Sequence, residues 1–369
     1  MRVGFVADLH TGNHRRFGGP VESGLNRRCR ETVATLRAAV AKAKERNCSV
    51  IVILGDLFDT SHPEPQLIAA VQASLDIESV AIMGNHDQVS MMPGDHALGP
   101  LNPVATVVDS PRVLHLQDVE LWAIPFRTGR AADWLPQVMA EVQGGSASQG
   151  SSASPRRILA LHLGLSDGDT PPWLQDAHDS ISAKTVGDLC AQYGIQHAFA
   201  GNWHDHKQWS FGRCLVTQVG TLCPTGWDNP GATSYGQLVI YDSKTGVVAC
   251  ETIPGPRFLK ADPSNDGGLI SQLALEGNKV YVRCDAQPEL MDIAAKALEE
   301  LKAAGTIVDG EIVPEGSEEQ AAARTAAMAA KSADTLDEAL AAFVKEMPLP
   351  ESVDRAAVLA RAKTYLGGA

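Results

Sequence analysis

This chain lacks the signatures of disulfide or thiolate chemistry. Its seven cysteines, Cys29, Cys48, Cys190, Cys214, Cys223, Cys250 and Cys284, are odd in number and scattered, and none forms a CxxC pair. Neither a disulfide framework nor a thiolate metal cage is expected, and reduced thiols in a cytoplasmic protein are. No apolar run approaches membrane-spanning length, so no membrane association is expected. The amino-terminal "MRVGFVADLH" runs straight into a strand-like pattern, which leaves no room for a secretory leader in the expected reading. Positive charge is also short. Against 44 Asp and Glu stand 31 Lys and Arg, a net charge of −13. That argues against a polyanion binder held by bulk charge. It does not exclude a local basic groove, or a site where metal ions supply the positive charge.

What is present is a chain of 369 residues, 44% hydrophobic, enough for one large domain and one or two small ones. Short Val- and Ile-rich runs such as "RVGFVADLH", "SVIVILGDLFD" and "SVAIMGNHD" read as buried strands; "VELWAIPF", "RRILALHLG" and "IQHAFAGN" follow. Helical patterns separate the early ones: Glu31–Asn47 carries an apolar stripe, and "HPEPQLIAAVQASLDI" has prolines where a first helical turn tolerates them. The alternation predicts an α/β fold with ligands at the carboxyl ends of parallel strands. Gly144–Ser154, "GGSASQGSSAS", reads as a flexible surface loop, and the chain beyond it is more β-rich. The expected units are 1–255, then a small strand–helix–strand unit over 256–316, then an alanine-rich helical region over 317–369. That last region suits a helical bundle or a docking element for a partner.

The polar residues at the strand ends form an ordered set. Asp8 and His10 stand two apart on a segment expected to be extended, so that both side chains point one way. Asp56 ends the second run, with Asp59 three residues on. Asn85, His86 and Asp87 end the third, His162 follows "ILAL", and His204 and His206 close the set. Any one of these is ordinarily a cap, a turn residue or a structural histidine. Together, in one sheet, they predict a site for two divalent metal ions held by imidazole, carboxylate and amide oxygen.

Those residues carry a resemblance. Asp8-x-His10, "GDLFD" over 55–59, "GNHD" over 84–87, His162 and a His-x-His pair resemble the calcineurin-like metallophosphoesterase family. More narrowly, "ADLHTGNHRR", "VILGDLFDTSHPEPQ", "AIMGNHDQ" and "ILALHLGLSDG" are similar to SbcD-type DNA-repair exonucleases. The resemblance implies a β-sandwich flanked by helices, with a small α/β capping domain. It implies that Asp8, His10 and His206 hold one ion, that Asn85, His162 and His204 hold the other, and that Asp56 bridges them. The ions would be manganese, with iron, zinc or magnesium as alternatives. His86 would face the scissile phosphate as acid or transition-state stabiliser, and Asp59 would hydrogen-bond to His86 and orient it. Expected partners are DNA ends and an SMC-like ATPase of the SbcC type; a homodimer is implied by the resemblance alone.

The other histidines, His62, His96, His115, His178 and His197, fit no metal spacing and are assigned to surface or core. His14, Arg15 and Arg16 could face substrate phosphates, and Arg27, Arg28 and Arg30 could extend that patch or form a helix-start charge run. The glycine usual before the first histidine of the pair is replaced by Trp203. Either the turn is built on Gly201 and Asn202, or Trp203 lines the substrate cleft. Two functions compete: a metal-dependent DNA nuclease, and a small-molecule phosphodiesterase or phosphatase on the same core. A non-catalytic scaffold is disfavoured by the intact residue set.

Overall fold

The computed structural model describes residues 1–90, 92, 94–145, 155–170, 179–227, 235–315, 335–347 and 353–367. The expected loop at 146–154, His178, and the helical run expected at 318–331 lie outside these residues.

The short apolar runs form strands because almost every position in them is buried. Val50–Leu54 is inaccessible along its whole length, as are Val119–Ile124 and His197–Gly201. A strand apolar on both faces must be covered on both. The chain meets this with two six-stranded sheets packed face to face. The first runs in the order Val247–Thr252, Gln237–Asp242, Arg2–Val6, Val50–Leu54, Glu78–Ile82, Thr106–Val108. The second runs Lys207–Phe211, Cys214–Gln218, His197–Gly201, Arg156–His162, Val119–Ile124, Arg112–Leu116. Between them lie Phe5, Val52, Leu54 and Ile82 from one sheet and Leu121, Ile158, Ala160 and Phe199 from the other. The Phe5 and Phe199 rings stack with centroids 4.0 Å apart.

Helices cover the outer faces. Arg27–Glu45, capped by the Asn26 side chain on the Cys29 N–H, and Pro65–Gln72 pack on the first sheet. Ala131–Gly145 and Ala183–Gln192 pack on the second. The result is the helix-flanked sandwich that the resemblance implied. The expectation of a single sheet is corrected: the strands feeding the site come from two.

Beyond the sandwich, Pro256–Lys260, Lys279–Ala286 and Asp309–Pro314 form an all-parallel three-stranded sheet. Helices Gly267–Leu275 and Met291–Ala303 make its crossovers, around a core of Ile270, Val280, Val282, Leu298 and Ile307. Its other face meets the sandwich through Phe258 and Tyr281, which pack on Trp227 and Phe17. At the carboxyl end, Leu336–Glu346 and Arg355–Gly367 are helices that pack on each other. No described helix is long and apolar enough to cross a membrane. All seven cysteines are unpaired.

Candidate metal centre

The strand ends of both sheets meet at one end of the sandwich. Two loops leaving the first sheet run side by side there: His10 N–H donates to the Asp56 carbonyl at 2.9 Å, Thr11 N–H to Leu57 at 2.9 Å, and Asp59 N–H to Thr11 at 3.0 Å. Asp8, His10 and Asp56 all have positive φ, at 52°, 46° and 49°. The Asp8–His10 segment is therefore not extended, contrary to expectation. Left-handed backbone costs roughly 1–2 kcal/mol per non-glycine residue, and three such residues together mark a site where side-chain direction outweighs backbone comfort.

Three groups of donor atoms converge, each within 4.8 Å: Asp8, His10 and His204; Asp8, Asp56 and His162; His10, Asp59 and His86. Asn85 joins the second group through its amide oxygen, 2.9 Å from His162 Nε2. His10 Nε2 and His204 Nε2 face each other at 3.1 Å. His206 belongs to none of the three groups, and its Nδ1 lies 3.0 Å from the Val219 carbonyl. His204, rather than the expected His206, is the member of the pair that stands beside Asp8 and His10.

Second contacts set the donors' orientation. His162 Nδ1 donates to the Leu54 carbonyl at 2.6 Å, which turns Nε2 toward Asn85 and Asp56. Both Asp8 carboxylate oxygens accept from the Asn202 N–H, at 2.9 and 3.1 Å. Asp56 Oδ1 accepts from the His86 N–H at 2.9 Å, while Oδ2 lies 3.5 Å from His162 Nε2 and 3.8 Å from His10 Nε2. Asp56 thus sits between imidazoles of two groups. Gly84 makes this possible, because a Cβ there would lie 2.2 Å from Asp56 Oδ1.

The charges respond strongly. Burial pushes the Asp8 carboxyl up, against the pull of His204 and His162. For Asp56 burial acts the same way, yet His162, His10 and His86 outweigh it and hold its carboxyl well below the ordinary value. Burial would depress His162, but the Asp56 carboxylate outweighs it and pushes the imidazole up to about 9. Asp56 therefore keeps its negative charge among the surrounding imidazoles, where a cation could share it. Buried His10 Nδ1 makes no hydrogen bond, the nearest carboxylate oxygen being Asp59 Oδ1 at 3.6 Å. Imidazole, carboxylate and amide oxygen in this packing fit two divalent ions, whereas no thiol enters the set.

Asp59 departs from its expected role. Its main-chain carbonyl, not its carboxylate, faces His86 Nδ1, at 3.2 Å. The carboxylate turns to His10 Nδ1 at 3.6 Å and His14 Nδ1 at 3.5 Å. His14 in turn contacts the His10 carbonyl through Nε2 at 2.8 Å, so it braces the site from behind. The arginines differ too. Arg16 pairs with Glu311, Arg27 with Asp309 and Arg30 with Glu22, while Arg28 is buried, so they make no continuous free patch. His96 and His197 find partners of their own, at Asp109 and at the Gly246 carbonyl, and neither joins a donor group.

Asn202 takes the left-handed conformation, φ 89°, so the turn before the histidine pair is built on Gly201 and Asn202. Trp203 packs its indole on Gly164, where a Cβ would lie 2.3 Å from Nε1. Trp203 is half-buried and is not one of the residues that line the cleft around His10 and His86.

Thr225, to which the sequence assigned no role, completes the cleft, an opening of about 270 Å³ that it lines together with Asn202, His10, Asp56, Asn85 and His86. Asp87 is another such residue. Wholly buried, it accepts from Phe58 N–H at 3.1 Å and Gly84 N–H at 3.0 Å, and so ties the GDLFD and GNHD loops together. Burial, aided by Asp56, pushes its carboxyl up to about 6. Asp87→Asn replaces one acceptor oxygen with an amide NH₂ that faces an N–H. It is expected to cost about 1–3 kcal/mol of stability, read by urea unfolding. An unchanged midpoint would contradict the bracing role. The "GNHD" motif carried that signal, since its Asp follows the His directly.

A sequence profile for calcineurin-like phosphoesterases matches residues 1–208, more than half of the 369. No curated protein shows a sequence match to the chain. Similar solved structures include a Thermus thermophilus protein, at 10% identity and TM-score 0.42, covering 68% of this chain and 98% of that one. A dimetal phosphatase from Danio rerio is similar at 14% identity and TM-score 0.41, covering 69% and 99%. An archaeal phosphodiesterase is similar at 12% identity and TM-score 0.37, covering 69% and 100%. With its profile match, its helix-flanked sandwich and its clustered donors, this chain belongs to the calcineurin-like phosphoesterase family.

Proposed function

We propose that the chain is a two-metal phosphodiesterase that acts as a DNA nuclease in end processing, repair or recombination. The observation that carries the phosphodiesterase part is the convergence of Asp8, His10, Asp56, Asn85, His162 and His204 on one open cleft, with His86 at its rim. The DNA part rests on the SbcD-like motifs and on the three-stranded unit that packs on the sandwich at Trp227 and Phe17.

In this reading Asp8, His10 and His204 hold one ion and Asn85 and His162 the other. Asp56 stands between them, and His206 completes the set. Manganese is the expected metal. When bound, the ions activate water and offset charge on the phosphoryl oxygens. The chain's own residues do the rest. Exposed His86, its Nδ1 turned to the Asp59 carbonyl and its ring edge-on to His10 at 4.7 Å, presents Nε2 to the cleft. Protonated there, it stabilises the leaving oxygen. The Asp59 carboxylate stands 3.6 Å from the His10 ring, and His14 braces the His10 main chain through its carbonyl.

His86→Ala is expected to keep both metals and to lose roughly 10²–10⁴-fold in turnover, the range for a positioned proton donor. Elemental analysis beside a rate assay checks this, and loss of metal together with activity would count against the role. An SMC-like ATPase would supply the DNA grip that the chain's net charge of −13 does not, docking on the C-terminal helices.

The same acidity favours a second reading, a small-molecule phosphodiesterase or phosphatase. One assay separates them: manganese-loaded protein on linear duplex DNA, single-stranded DNA and bis(p-nitrophenyl) phosphate. Hydrolysis of the ester alone, with DNA intact even when the ATPase partner is added, sinks the nuclease reading.

A further inference from the structure

Arg28 is among the largest side chains that the fold buries fully, with 1% of its surface exposed. Among the described residues it makes no ion pair with a carboxylate. Its Nε has no hydrogen-bond partner, and Nη2 makes only long contacts, to the carbonyls of Pro224 at 3.5 Å and Thr225 at 3.3 Å. The guanidinium lies 4.5 Å from the Phe258 ring centroid and 5.4 Å from that of Tyr281. Both rings belong to the three-stranded sheet. The nearby Glu31 accepts a 2.7 Å hydrogen bond from the Tyr281 hydroxyl. Burial pushes the Glu31 carboxyl up, against the pull of the Tyr281 hydroxyl, Arg28 and Arg27.

A guanidinium this poorly compensated is costly to bury, and replacing it with an apolar side chain would ordinarily help the fold. Its position suggests what offsets that cost. Thr225, whose carbonyl it touches, lines the same cleft as His10, Asp56 and His86. Its charge also acts on Asp59, which lines that cleft, and on His14. A buried charge is screened little by salt, so its field is attenuated on the way to the cleft mainly by the protein dielectric.

We propose that Arg28 is a substrate-positioning residue, a buried cation behind the Thr225 wall that draws an anionic phosphoester into the cleft of an otherwise acidic chain. Phe258 and Tyr281 hold it there, so the three-stranded sheet serves substrate binding without touching substrate. This rests on the phosphoesterase reading above.

The test uses the full chain carrying Arg28→Gln, which keeps donors for the two carbonyls but no charge, and Arg28→Lys, which keeps charge but not the planar fork. KM and kcat are measured with manganese on linear duplex and on bis(p-nitrophenyl) phosphate. Kd is measured for a fluorescein-labelled duplex with calcium in place of manganese. A unit charge acting over this range through protein predicts about a tenfold rise in KM and Kd for the glutamine variant, with kcat within about threefold and metal content unchanged. The lysine variant should stay within about twofold of wild type. Wild-type KM and Kd in a metal-loaded glutamine variant overturn the proposal. So does a fall in kcat alone, which marks a packing role. If the glutamine variant does not fold, the lysine variant decides: binding weakened about tenfold overturns the proposal, and binding within twofold supports it. A wild-type chain that binds duplex but hydrolyses nothing refutes the phosphoesterase reading instead, and the Kd comparison still judges Arg28.

Discussion

Asp56→Asn is expected to lower phosphodiester hydrolysis by about 10³-fold and to strip metal from the protein. The carboxylate has three partners that an amide cannot serve together: the His86 N–H at 2.9 Å, His162 Nε2 at 3.5 Å and His10 Nε2 at 3.8 Å. It is also the charge that raises His162 to about 9 against the opposing effect of burial. Without it, the two donor groups lose the negative centre between them, and an NH₂ is directed at donors or at a cation. Metal ions supply several kcal/mol of charge stabilisation to such displacements, and about 4 kcal/mol corresponds to the stated loss of rate. Metal content and turnover, measured on one preparation, check this. A variant that keeps both ions and works within about tenfold of wild type would show that Asp56 does not hold them together.

The second large effect concerns folding as much as chemistry. Gly55→Ala is expected to cost about 3 kcal/mol or more, combining overpacking with left-handed strain. Gly55 has φ +88°, and a Cβ there would lie 2.1 Å from His162 Nδ1 and 2.5 Å from its Cγ. His162 cannot give way, since Nδ1 is bonded to the Leu54 carbonyl at 2.6 Å and the ring is wholly buried. Gly129→Ala is the control. Gly129 has φ +95°, and its Cβ would meet nothing nearer than Trp134 Cδ1 at 3.9 Å, so it carries the backbone cost alone, about 1–2 kcal/mol. Urea midpoints for the two variants give the comparison. Equal losses would mean that the His162 contact adds nothing, and a larger loss at Gly55 accompanied by lower metal occupancy supports it.

The sequence alone determined the parts of this protein that depend on short stretches of chain. Buried runs of five or six aliphatic residues had to become covered strands, and the helix stripe before Asn47 had to become a helix, observed as Arg27–Glu45. The candidate donors were legible for the same reason: each stands within a few residues of a strand end, and strand ends in such folds gather at one edge. The GDLFD and GNHD blocks carried even the close approaches, because glycine was needed where a Cβ would strike a donor.

What the tertiary structure decided depends on contacts between distant parts of the chain. That His204 rather than His206 faces His10 depends on how strands 194 residues apart are set against each other. Asp59 turned its carboxylate to His10 and His14 because the two loops pair along their backbones, which leaves only its carbonyl for His86. Trp203 was set against Gly164, and Arg27 and Arg28 against a sheet more than 200 residues downstream. Periodicity cannot report such choices, since it registers only that a side chain is buried. Which partner it meets follows from the packing of one segment against another.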